Sequence, residues 1–442
     1  MMKKKLYIPL LIFLAFSHFS IIFKKPVFYS VEADYEFGNG NGTFAQGQAM
    51  LIQYKVRNLS DQTVKGFVAG SVSTQDAKIL HSFEKYVEIP ASQSQILSFS
   101  YQPSQPGIYK VFTRLRNSGG DLAANSIQMG YAVDHIHSPI TRKADFYQFW
   151  HQTIQKLKTI APNFKVIPKA QLSNHQYDVY LIEMQSFDNQ TIRAWYRIPK
   201  HKNALPVVLQ LPSLGGSFYD VRSLEEKPRH GIPYDFAVLS LNIRGHGNSQ
   251  DDIDPGDNHY QLITHQLHDR EQYFYRGAVM DCIRALDFLQ TRPELDKNKI
   301  VVEGASQGGA LSLITAALDA RVKLCAPDVP FLSDIDQLIK YAPWVANELA
   351  RYQKSQVDLS LWRMQYTLSY FDTKNFADKI KAPVFMGIGL QDGTCPAITS
   401  LVTYNKISAI KKCYIYPKAQ HEGGGALHRE RKFAWIRQQF GL

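Results

Sequence analysis

The sequence predicts an α/β unit, a mostly parallel sheet flanked by helices, preceded by an all-β sandwich. Two observations carry this. From about residue 27 to 133, short alternating runs follow one another with turn residues between them and no helical period. From Leu205 onward, apolar strand runs alternate with helical runs, the pattern of a parallel sheet. At 442 residues the chain suits two domains, and 45% apolar to 20% charged residues is the profile of a folded chain.

Residues 1–26 read as a targeting segment. Lys3, Lys4 and Lys5 precede an apolar run from Leu6 to Phe16, and Ala15-Phe16-Ser17 offers a small-residue cleavage site. A cleaved signal peptide is the first reading and an uncleaved N-terminal membrane anchor the second; both export the folded part to the periplasm, the cell surface or the medium.

Within residues 27–135 the strands are Ala49 to Val56, Val64 to Val72, Tyr86 to Pro90, Gln95 to Tyr101 and Gly107 to Arg114. The phrase ending in Gln105-Pro106-Gly107-Ile108-Tyr109 resembles immunoglobulin-like modules attached to bacterial enzymes. The second unit, residues 136–442, opens with a helix whose apolar residues Phe146, Phe149, Trp150, Ile154 and Leu157 recur at helical intervals. Two strands, Tyr177 to Glu183 and Thr191 to Ile198, follow. The sheet then takes Pro206 to Leu211, Phe236 to Leu241, Lys299 to Glu303, Pro383 to Gly389 and Lys412 to Tyr416. Between Pro330 and Lys381 an aromatic-rich insertion (Trp344, Trp362, Tyr366, Tyr370, Phe371) suggests a helical cap.

The net charge of +11 comes from 50 basic and 39 acidic residues. Several of those lysines belong to the targeting segment, and no basic run or nucleic-acid-binding signature stands elsewhere. The four cysteines, Cys282, Cys325, Cys395 and Cys413, form no CxxC pair and have no zinc-ligand spacing, so they read as buried thiols. No cluster suggests a metal, and no cofactor is expected.

Gly304-Ala305-Ser306-Gln307-Gly308 fits the nucleophile elbow, in which a serine sits on a sharp turn between strand and helix with its hydroxyl exposed above the sheet. Here a β-branched strand enters the motif and a helix leaves it, the setting the α/β-hydrolase fold requires. A serine needs a base, and the base needs a carboxylate to hold its imidazolium. In this fold the partners follow in the order Ser, Asp or Glu, His. Only His421 and His428 of the 14 histidines lie beyond Ser306. His421 follows the last strand in a glycine-rich loop, whereas His428 begins the terminal helix and reads as a surface residue. Asp392 directly follows a sheet strand, at the carboxyl end where functional groups collect in open α/β sheets. Ser306, Asp392 and His421 are therefore the candidate triad. The oxyanion donors expected are the backbone amides of Gln307 and of Leu214, in the loop after an earlier strand.

Several separated motifs resemble carbohydrate esterase family seven, the acetyl xylan esterases and cephalosporin C deacetylases. They are Phe187-Asp-Asn-Gln-Thr-Ile192, Tyr273-Phe-Tyr-Arg-Gly277, Asp281 to Asp287, Gly304 to Leu311, Pro330 to Asp334, Gly389 to Pro396 and His421-Glu422. The resemblance spans about Thr141 to Leu442 and leaves out the β-sandwich, which compact members of that family lack. It implies hydrolysis of acetyl esters on sugars by Ser306, Asp392 and His421, with Gln307 as an oxyanion donor. The family's Arg-Gly-Gln signature appears as Arg244-Gly245-His246, with Arg244 expected to support the active-site loops. The family's His-Gly-Tyr appears as Pro212-Ser213-Leu214, which removes a phenol from the pocket. Pro330 and Phe331 are expected to wall a short acyl pocket.

The expected reaction is removal of acetyl groups from sugars or polysaccharides such as xylan through an acetyl-enzyme. A broad-specificity carboxylesterase, or a carbohydrate-binding protein with a vestigial esterase site, stands as the alternative. The family's ring-like assemblies leave a homo-oligomer open. Because every candidate catalytic group lies beyond residue 200, residues 27–135 are expected to be dispensable for chemistry on a small soluble acetate.

Overall fold

Burial on every second residue organises the first unit of the computed structural model, which describes residues 29–200, 204–215 and 232–442. The targeting segment lies outside the described residues. Met50–Asn58 (β3) shows the alternation most clearly. It pairs antiparallel with Val31–Glu36 (β1) and Ser94–Tyr101 (β6) to form one sheet. The second sheet has the order β2-β8-β7-β4-β5, from Thr43–Phe44 (β2), Val64–Thr74 (β4), Ile79–Ile89 (β5), Gly107–Asn117 (β7) and Gly120–Tyr131 (β8). The alternating inward residues of the two sheets, among them Tyr54, Val56, Val68, Val111 and Met129, form a common core.

The second unit is built on a nine-stranded sheet, ordered β17-β16-β15-β14-β12-β13-β11-β10-β9. Lys165–Pro168 (β9), Tyr177–Gln185 (β10) and Thr191–Pro199 (β11) form its antiparallel edge. Leu205–Leu211 (β12), Ala237–Asn242 (β13), Leu295–Ala305 (β14), Leu324–Asp328 (β15), Val384–Gly389 (β16) and Lys411–Tyr416 (β17) are parallel. Helices Phe146–Lys158 (α1), Phe274–Gln290 (α2) and Gln307–Leu318 (α3) precede the insertion. Ile335–Tyr341 (α4), Pro343–Lys354 (α5) and Leu361–Leu368 (α6) form it, and it is helical as its position in the chain suggests. Ala397–Lys406 (α7) and Gly425–Phe440 (α8) close the chain. This is the α/β-hydrolase-like fold, with the β-sandwich before it.

A polar row crosses the sheet just below the candidate site. Ser240 Oγ donates to Gln210 Oε1 at 2.9 Å, and Gln210 Nε2 donates to Glu303 Oε1 at 3.2 Å. Lys432 Nζ, from α8, donates to Glu303 Oε2 at 3.0 Å and also to Asp328. His428 Nε2 lies 2.8 Å from Asp328 Oδ1, and its Nδ1 faces the Tyr416 hydroxyl. Lys432, with His428 nearby, holds the Asp328 carboxyl down to about 2 against the effect of burial. The surface reading of His428 is thus corrected: it is 1% exposed, its ring tilted against Phe385 and one helical turn from Lys432. An amphipathic terminal helix turns one stripe inward, and on α8 that stripe carries charge.

Candidate active site

Ser306 stands between β14 and α3 with φ 56° and ψ −117°, a left-handed conformation that a non-glycine residue rarely adopts. Its neighbours hold it there. Ser306 N–H donates to the Asp328 carbonyl at 3.0 Å, and the Ser306 carbonyl accepts from Phe331 N–H at 2.9 Å. The glycines of the motif answer to close packing. A Cβ on Gly308 would lie 2.4 Å from the Leu211 carbonyl oxygen, and one on Gly304 would lie 2.7 Å from the Gly308 backbone. Strand and helix can fold back on each other only without those side chains.

Asp392 follows β16 and is 1% exposed. Its Oδ1 accepts from the backbone amides of Thr394 at 2.8 Å and Cys395 at 2.9 Å. Its Oδ2 lies 2.8 Å from Nδ1 of the half-buried His421. That contact assigns Nδ1 as the protonated nitrogen of a neutral His421 and leaves Nε2 free to accept. The acid loop also reaches the serine: Cys395 Sγ lies 4.0 Å from Ser306 Oγ. Burial pushes the Cys395 thiol well above its ordinary value, so it stands beside the nucleophile as a neutral group. Ser306 Oγ faces Cys395 and His421 Nδ1 faces Asp392, so the serine–histidine hydrogen bond is one that tightens in the reacting complex.

Gln307, the first residue of α3, is fully buried and locked by its side chain. Its Oε1 accepts from the Tyr275 hydroxyl at 2.8 Å, and its Nε2 faces His246 Nε2 at 3.0 Å and the Pro212 carbonyl at 3.3 Å. His246 Nδ1 faces the Arg244 carbonyl at 3.2 Å and must donate to it, which makes Nε2 the acceptor. Burial lowers the His246 pKa to about 4, which keeps the ring neutral. The departure from the Arg-Gly-Gln signature therefore puts a neutral imidazole against the side chain of a candidate oxyanion residue.

Leu214 is half-buried in the turn after β12, packed on the main core. The preceding Ser213 hydroxyl donates to the Ala305 carbonyl at 3.0 Å, tying that turn to the elbow. Arg244 pairs twice with Asp281 of α2, at 2.9 and 2.8 Å, and donates to the Phe187 carbonyl. Pro330 lies against Gly309 of α3, and Phe331 packs its buried ring near Tyr275 and Trp344. Trp344 of the cap donates to the Thr394 carbonyl at 2.9 Å, so cap and acid loop meet beside the serine.

Sequence reasoning passed over Tyr275, His246 and Cys395. Tyr275 and Cys395 lie inside the quoted family-like motifs and His246 at the point of departure from one, so a signal existed for each. A polar core partner has no spacing rule of its own.

The acetyl xylan esterase family matches residues 133–439. The acetyl esterase Axe7A of Xylanibacter ruminicola is 27% identical over 320 residues, covering 70% of this chain and 70% of that protein. The solved acetyl xylan esterase from Paenibacillus sp. R4 superposes with a TM-score of 0.62 at 30% identity, over 69% of this chain and 98% of that one. Acetyl xylan esterase 1 from Thermoanaerobacterium sp. JW/SL YS485 shares the fold, with a TM-score of 0.62 at 24% identity, over 70% of this chain and 98% of that one. The protein is a carboxylic ester hydrolase, and the chain belongs to the acetyl xylan esterase family.

Proposed function

We propose that this protein deacetylates sugars or polysaccharides such as xylan, by two-step acyl transfer through Ser306. The observation that carries the reading is the 2.8 Å contact between Asp392 Oδ2 and His421 Nδ1, on a loop that also reaches the elbow serine. In the first step His421 Nε2 takes the Ser306 proton as Oγ attacks the acetyl carbonyl, and Asp392 stabilises the imidazolium. The oxyanion sits between the backbone amides of Gln307 and Leu214; each such donor contributes roughly 3–4 kcal/mol to the transition state. The sugar hydroxyl leaves with the proton from His421. Water, deprotonated by the same ring, then attacks the acetyl-enzyme, and acetate departs with Ser306 restored.

The test is acetate release from acetylated xylan, pectin, mannan and simple sugar acetates, by wild type and Ser306→Ala side by side. Wild-type release that the variant lacks supports the reading. No release on any substrate would leave a carbohydrate-binding protein with an inactive site. The broad carboxylesterase reading is favoured by one feature, the apolar Leu214 at the oxyanion turn in place of a phenol.

A further inference from the structure

The β-sandwich reaches the two loops that carry Asp392 and His421. Gln391, the residue before Asp392, uses its side-chain amide as if it were a strand residue. Gln128 N–H of β8 donates to Gln391 Oε1 at 2.8 Å, and Gln391 Nε2 donates back to the Gln128 carbonyl at 3.0 Å. That edge position is open to it because β2 covers only Gly130 and Tyr131 of β8. The same Nε2 donates to the Pro417 carbonyl, and Gln391 N–H donates to the Ala419 carbonyl at 2.9 Å, both on the approach to His421. One side chain thus bonds the sandwich, the acid loop and the histidine loop together.

Two further contacts act on the same corner. The turn at Gly42 (φ +68°) packs so closely that an added Cβ would lie 3.0 Å from Pro417 and 3.2 Å from Leu390. Lys418 pairs with Asp34 of β1. Leu390 and Gln391 immediately precede the candidate acid, and residues 417–419 lead into the candidate base.

We infer that the β-sandwich is part of the catalytic apparatus, with Gln391 as a positioning residue that clamps the Asp392 and His421 loops in register against β8. The inference rests on the assignment of Asp392 and His421 to catalysis. It runs against the expectation that residues 27–135 are dispensable on small substrates, because the clamp acts on the geometry of the triad and not on the polymer. The Paenibacillus esterase, matched over 98% of its length by 69% of this chain, is too short to include both units.

The experiment uses the full chain, with Gln391→Met, which keeps the volume and removes the amide, and Gln391→Ala. A third variant, Asp76→Ala, removes the contact with Lys340 of the cap at 2.7 Å, which joins the same two units away from the triad loops. Rates on a small soluble acetate are measured across pH and divided by the concentration of active serine, titrated with a phosphonate ester. The clamp predicts a kcat at least tenfold lower for the Gln391 variants with KM little changed. It also predicts an acid limb of kcat/KM moved to lower pH, because a histidine that loses its carboxylate partner is less basic. The other titratable groups of this corner (Cys395, Lys418, Asp34, Glu422) are unchanged in these variants. Asp76→Ala should match wild type in both readings.

A purely structural role would lower the melting temperature without moving the limb or the rate per active site, and that result overturns the clamp. So does wild-type behaviour of folded Gln391→Met. If Ser306→Ala were instead as active as wild type, the catalytic assignment itself would fall, an outcome separable from the clamp.

Discussion

Gln307 and His246 meet through their side chains, amide nitrogen to imidazole nitrogen at 3.0 Å, beneath the backbone amide expected to bind the oxyanion. The ring must be neutral to accept. Its pKa is lowered to about 4 by burial, so the folded state resists a proton that the unfolded chain takes up near 6.5. Stability from this residue is complete above about pH 6.5 and falls as pH drops toward 4. On the scale of ~1.4 kcal/mol per pKa unit the loss is of order 3 kcal/mol. His246→Gln should flatten that part of the stability profile, read from urea melts at pH 7, 5.5 and 4.5. An unchanged slope would contradict the assignment.

Ser306→Ala should reduce turnover on the order of 10^6-fold, as removal of a serine nucleophile does when the rest of the site remains. The melting temperature should stay within a few degrees, because the turn is held by backbone bonds to Asp328 and Phe331 that alanine keeps. Comparing acetate release with thermal unfolding of the same preparation checks both halves.

Asp392→Asn should keep the fold, since the two backbone amides can still bond Oδ1, but it cannot hold the productive tautomer of His421. A loss of roughly 10^4-fold in kcat is expected, with KM little changed. Steady-state kinetics near pH 7.5 decide it; a loss under tenfold would remove Asp392 from the triad.

Lys432→Met should destabilise the protein by about 3–5 kcal/mol at pH 7, because the buried Glu303 and half-buried Asp328 carboxylates are left without their cation. The sign follows from Asp328, whose pKa is depressed to about 2. Its contribution is present above about pH 4, the unfolded value, and is lost as pH falls toward 2. The variant should therefore lose less stability on acidification than wild type. Denaturant melts at pH 7 and 3 measure this.

Acetyl esters should react roughly 10–100-fold faster than butyryl esters, if overpacking the pocket beside Phe331 costs about 1–3 kcal/mol as in protein cores. Matched acetyl, butyryl and octanoyl esters test it. Faster cleavage of the octanoyl ester would favour the carboxylesterase reading and point to Leu214 as the opening.

What the sequence made legible is what local chemistry dictates. The elbow was readable because a strand, a small-residue turn and a helix must be contiguous there, and Asp392 and His421 because each follows a strand end. Leu324–Asp328 escaped notice because Pro327 interrupts a short run, although the strand lies inside the sheet between β14 and β16. Gly120–Tyr131 lacks clean alternation through Ala123, Ala124 and Asn125. His428 looked superficial because charge on a terminal helix usually faces water. The bonds of Gln391 to Gln128 span 263 positions, and no local pattern announces such a contact.

The row of charge beneath the elbow also has a consequence for the order in which the protein is made. Glu303 and Asp328 emerge during synthesis well before Lys432, which follows them by 129 and 104 residues. Chains fold as they appear, N-terminal parts first. The nascent elbow therefore carries two uncompensated carboxylates until α8 docks, and His421, just ahead of that helix, arrives with it. Docking of α8 and completion of the candidate site are therefore coupled.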